Sequence, residues 1–69
     1  MDNDYNGNRV RRAEGALGAY LVGGEEQETA LTDLLADLRH YCDARGLGFD
    51  DIDRVAHDHY LVELKHANA

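Results

Sequence analysis

Sixty-nine residues suffice for one small domain, and 14 acidic side chains against 7 basic ones give a formal net charge of −7 that disfavours a phosphate-bearing partner. No apolar run approaches the ~20 residues needed to span a bilayer, and the opening MDNDYNGNRVRR lacks the apolar core of a secretory signal. The only cysteine, Cys42, excludes an intrachain disulfide.

Residues 1–8, MDNDYNGN, are polar and read as a disordered lead-in to a single helical domain over residues 9–69. Asn8 is placed to cap a first helix, Arg9 to Val22. Its stripe of Val10, Ala13, Leu17, Tyr20 and Leu21 is thin. Gly15 and Gly18 each cost roughly 1 kcal/mol relative to alanine inside a helix; they either admit a closely packed neighbour or only weaken the element. Arg9, Arg11 and Arg12 at its start oppose the helix dipole, so a pairing with the acidic middle of the chain is expected of them.

Gly23-Gly24 ends that segment, and Glu25, Glu26 and Glu28 suit the first turn of a second helix running to Arg45. Leu31, Leu34, Leu35, Leu38, Tyr41 and Cys42 recur with the helical period, so this is the most strongly patterned segment. Cys42, a free thiol on that apolar face, reads as a small buried hydrophobe suited to a reducing cytoplasm. Gly46 suits a left-handed C-terminal residue.

After the connector Leu47-Gly48-Phe49, Asp50 is expected to cap a third helix from Asp51 to Lys65, with His66 to Ala69 frayed. Its main stripe, Ile52, Val55, Ala56, His59 and Val62, is expected to pack against the second helix as an antiparallel hairpin. Tyr60, Leu61 and Leu64 lie off that stripe, which points to a homodimer interface there, with Tyr20 and Leu21 as further candidates. The expected fold is therefore all-α: a helical hairpin with a weaker N-terminal helix, a small three-helix domain that dimerises. A chain this short has a marginal core, and a partner subunit is the expected source of extra stability.

Little in the chain points to catalysis or a cofactor. His59, Glu63 and His66 share a helix face at i, i+4, i+7, a spacing that could ligate zinc; Asp53 and His57 form another i, i+4 pair. His57 and His59 point about 160° apart on a helix and cannot share an ion. Asp33 and Asp37 could contribute to a magnesium site, but that chemistry relies on substrate phosphates held in a pocket. Cys42 and His40 face apart, which leaves the thiol without a base. Gly15-x-x-Gly18 lacks the strand-to-helix context of a phosphate loop. Arg9, Arg11 and Arg12 alone on so acidic a chain are a poor nucleic-acid footprint.

Residues 29–63, TALTDLLADLRHYCDARGLGFDDIDRVAHDHYLVE, resemble a recurrent type of small protein encoded by bacterial phages, plasmids and integrated elements. The resemblance rests on Leu31 to Leu38, His40-Tyr41, the Gly46 connector with Phe49-Asp50, and His59-Tyr60-Leu61. It implies an accessory gene of a mobile element, and a product that binds and modulates or blocks a host protein. Residues 25–58 hold ten carboxylates and three arginines, which accounts for the whole net charge. Glu25, Glu26, Glu28, Asp33, Asp37, Asp43, Asp50, Asp51, Asp53 and Asp58 are thus the candidate partner-binding residues. The expected function is a cytoplasmic, non-enzymatic interaction module with no cofactor and no metal, docking on a basic protein surface. A DNA mimic that occupies a nucleic-acid channel and a small metal-binding protein or metal-dependent hydrolase are the alternatives.

Overall fold

The computed structural model describes residues 5–67. It is an all-α domain of three helices: α1, Tyr5–Leu17, continued by a 3-10 turn at Gly18–Tyr20; α2, Gln27–Arg45; and α3, Phe49–Ala67. Each helix touches the other two.

The helix ends follow local chemistry. Glu26 stands before α2 in extended backbone (φ −67°, ψ 152°), with Glu28 in the first turn, where a carboxylate favours the helix dipole. At the other end Gly46 takes φ 71°. The Leu47 N–H donates to Cys42 O at 2.8 Å and the Gly46 N–H to Asp43 O at 3.3 Å, the paired bonds of a Schellman termination. A side chain at φ 71° is strained by about 1–2 kcal/mol. Gly46→Ala is therefore expected to lower the unfolding free energy by about that amount, read as a lower urea midpoint with an unaltered slope.

Several boundaries differ from the sequence expectation, and the first helix gives way to a 3-10 turn after Leu17 instead of running to Val22. The helix begins at Tyr5, four residues ahead of Arg9. Tyr5 to Asn8 are thus helical rather than a disordered lead-in; residues 1–4 lie outside the described residues. Asn8 is not a cap: its Oδ1 accepts a hydrogen bond from Arg11 one turn on. The cause is tertiary, because Asn6 Nδ2 donates to Glu63 O at 3.3 Å and Arg9 Nε pairs with Glu63 Oε2 at 3.2 Å. That clasp holds the start of α1 on the end of α3. Among the described residues Asn6 Oδ1 is buried without a partner, a local cost on the order of 1–3 kcal/mol. The arginines fall inside the helix, so the dipole objection to them lapses. Arg9 pairs with Glu63 rather than with the acidic middle of the chain.

Likewise α3 begins at Phe49, so Asp50 lies in its first turn and Gly48 takes the capping position; the Ile52 N–H donates to Gly48 O at 3.1 Å. Asp51 folds back over Gly48, where an added Cβ would lie 3.3 Å from Asp51 Oδ2. His66 belongs to α3 rather than to a frayed tail, while Asn68 and Ala69 lie outside the described residues. Gly15 and Gly18 face open space, with nothing within 4 Å of an added Cβ. They weaken α1 and admit no close neighbour.

The interior is small. Only Ala30 and Cys42 are buried among the described hydrophobic residues; Leu17, Tyr20, Leu21, Leu34 and Phe49 are half-buried. The hairpin was expected to bury the stripe of α2 against the main stripe of α3, and it does not. Leu31, Leu35, Leu38 and Tyr41 on α2, and Ile52, Val55 and Val62 on α3, stay between 41% and 54% exposed. The two helices meet near their connector, where the Arg39 guanidinium lies 4.3 Å from the centroid of the Phe49 ring, while α1 bridges to the far end of α3. The result is a flat, open arrangement of 38 × 31 × 16 Å with a radius of gyration of 14.2 Å. A compact domain of this length would have a radius of gyration of about 11 Å.

Candidate protein-docking surface

All ten carboxylates singled out between residues 25 and 58 are exposed. Their positions follow from the helical period. Asp33 and Asp37 lie one turn apart on α2, next to the 3-10 turn, and the Tyr20 hydroxyl donates to Asp37 Oδ2 at 2.7 Å. Asp43 lies further along α2. Asp50 and Asp51 occupy the first turn of α3, where the dipole stabilises them, and Asp53 and Asp58 continue along that helix. Glu25 and Glu26 sit in the connector and Glu28 opens α2.

The carboxylates are under-neutralised within the fold. Asp50 Oδ1 lies 3.6 Å from Arg39 Nη1, and Asp51 Oδ1 lies 3.0 Å from Arg54 Nη1. Both pairs are exposed, and such pairs contribute little to stability. Among the described residues Glu25, Glu26, Glu28, Asp33, Asp43, Asp53 and Asp58 form no ion pair. Three of the ten meet at the α2–α3 junction. There Asp43, Asp50 and Asp51 line an open, mainly polar depression of about 550 Å³, with Arg39, Leu47, Gly48 and Phe49. Stacking on Phe49 fixes the Arg39 guanidinium, so the surrounding acids are held on a shaped surface rather than scattered on a loop.

The Tyr20 phenol reports on this field. Its pKa is raised above the ordinary 10.0, first by the hydrogen bond to Asp37, then by partial burial and by the negative charge of Asp37 and Asp33. A raised folded-state value means that the protonated phenol supports the fold below the ordinary tyrosine pKa. That support is lost as the pH climbs through the raised value. The difference in phenolate absorbance between the wild type and Tyr20→Phe should therefore titrate above pH 10.0. Asp37→Asn should move the transition back toward the ordinary value.

The histidine-based site is not assembled. Among the described residues no group of three or more His, Cys, Asp or Glu side chains could hold a metal ion, and the Glu63 carboxylate of the His59, Glu63, His66 trio is engaged by Arg9. His57 stands beside Tyr60, with ring centroids 6.3 Å apart. Cys42 is buried, as expected of a small apolar group. No described helix is long and apolar enough to cross a membrane. Tyr60, Leu61 and Leu64 are exposed, as an interface with another chain would require; Tyr20 and Leu21 are half-buried within the chain itself.

The depression at the connector is not apparent from the sequence, where Leu47-Gly48-Phe49 reads as a simple link. The signal was present as Arg39 ten residues ahead of Phe49 with acids on both sides, but only the turn at Gly46 brings them together. Comparison with protein families, with curated proteins and with solved structures gives no match.

Proposed function

We propose that this chain is a non-enzymatic interaction module whose acidic surface docks on a basic surface of another protein. The observation that carries the reading is the junction depression, where Asp43, Asp50 and Asp51 meet Arg39 over Phe49. Arg54 is paired to Asp51, and Asp43 is left without an ion pair among the described residues. A lysine or arginine of the partner fits that charge and shape, and the unpaired carboxylates of α2 and α3 extend the contact. Charge complementarity of this kind speeds encounter and selects the partner more than it adds affinity. The resemblance of residues 29–63 to small proteins of bacterial mobile elements supplies the class of partner: a host protein that the module modulates or blocks.

The test is capture of partners from a bacterial lysate by the wild type and by Asp43→Asn/Asp50→Asn/Asp51→Asn. The reading expects a partner with a basic surface, released by raised salt and bound poorly by the triple variant. Binding indifferent to salt and to the three substitutions would sink it.

A further inference from the structure

We infer that the uncovered apolar strips of α2 and α3 are closed by a second copy of this chain. On α2, Leu31, Leu35 and Leu38 are followed by buried Cys42, with successive spacings of four, three and four residues. At 100° per residue they fall within a sector of about 60°. On α3, Ile52, Val55, His59 and Val62 are spaced three, four and three, within about 80°. Alternating steps of three and four form the seam through which helices pack on other helices side by side. Both seams run for about three turns; in the single chain the α3 seam is open, and the α2 seam is open at Leu31, Leu35 and Leu38 and covered at Cys42. The α3 seam borders a shallow depression of about 410 Å³ lined by Asp51, Ile52, Val55, Ala56 and His59.

The exposed area is of the size that a second copy would cover. The chain exposes 5706 Å², whereas a compact monomer of this mass would expose about 4,300 Å². The excess, on the order of 1,000 Å² per chain, matches what each partner contributes to an obligate homodimer. A second copy is present wherever the first is made, so a chain with two buried hydrophobic residues among those described need not wait for an unrelated partner to complete its core. On α2 Asp33, Asp37 and Asp43 project at least about 80° away from the seam, whereas on α3 Asp51 and Asp58 flank it within about 40°, so association should strengthen as salt screens them. Tyr60, Leu61 and Leu64 span little more than one turn, too short to account for the excess, and serve as the control surface. Asp51 borders both the α3 seam and the acidic docking surface, so the seam is tested at Leu35 and Val55, which line no part of the acidic depression.

The test is the molar mass of the purified protein by light scattering, with Leu35→Glu and Val55→Glu as disrupting variants and Leu64→Glu as the control. The wild type and the control are expected at twice the 7.7 kDa chain mass, and both seam variants at the single-chain mass. A wild type at single-chain mass that keeps its helices overturns the inference, as does a dimer that survives both seam substitutions or dissociates only with Leu64→Glu. If a seam variant loses its helices, the wild type alone decides. A soluble paramagnetic agent should then leave the Leu31, Leu35 and Leu38 methyls unrelaxed, and strong relaxation of those methyls overturns the inference.

Discussion

Ala30→Leu is expected to destabilise the fold by about 1–3 kcal/mol, the usual cost of forcing extra methylenes into a packed site. Ala30 is the one described residue with no exposed surface. At 100° per residue it shares a side of α2 with Leu34 and Asp37, and Asp37 accepts the hydrogen bond from Tyr20 of the 3-10 turn. A leucine there must push that turn away or tilt α2. A domain of this size has a stability of roughly 3–10 kcal/mol, so the loss is a large part of the whole. Ala36→Leu, at an exposed position of the same helix, is the matched control and should stay within about 0.5 kcal/mol of the wild type. Equal urea midpoints for the two variants would show that the side of α2 carrying Ala30 is not the packed side.

The second large effect is on association. Asp43→Asn/Asp50→Asn/Asp51→Asn removes three charges from the junction while keeping side-chain volume, so partner binding should weaken at low salt and lose much of its salt dependence. Exposed charges more than about 8 Å from their counterparts are screened at physiological ionic strength. The loss should therefore be largest at low salt, and it should appear mainly as slower association because exposed rim charges act on encounter. Asp51 also folds over Gly48 and pairs with Arg54, so the triple variant needs its helicity checked beside its binding. Asp33→Asn/Asp37→Asn, on the side next to the 3-10 turn, separates the junction from the rest of the acidic surface. Competition by DNA for the captured partner would mark a mimic of nucleic acid rather than a simple docking module.

Much of the fold was legible in the sequence because it rests on short-range chemistry. The period of leucines from Leu31 to Leu38, the left-handed Gly46 and the acids after Gly48 each act within one or two turns, and they placed α2 and α3 to within a few residues. The start of α1 was not legible. Asn6, Gly7 and Asn8 are poor helix formers, and they are helical because Asn6 and Arg9 dock on Glu63, 57 and 54 residues away in sequence. The packed side of α2 was legible only in part: Leu34 and Cys42 of the expected stripe are covered, while Leu31, Leu35 and Leu38 are not. The three leucines outweigh Ala30 in any pattern, yet the alanine is the residue that other elements cover, since a small side chain lets a neighbour approach. For the acidic surface, exposure of each carboxylate followed from the helical period, while their gathering around Arg39 and Phe49 depended on the turn between helices.

On the proposed function and the inferred dimer, the chain is completed by association: an apolar strip closed by a second copy, and an acidic surface turned to another protein. The most direct measurement is the thermal unfolding midpoint of the isolated wild-type protein over about two decades of concentration, since a state stabilised by self-association gains stability with concentration by mass action. The midpoint should rise steadily, with helicity and dimer mass lost together on dilution. A sharp midpoint that is the same at every concentration would contradict it.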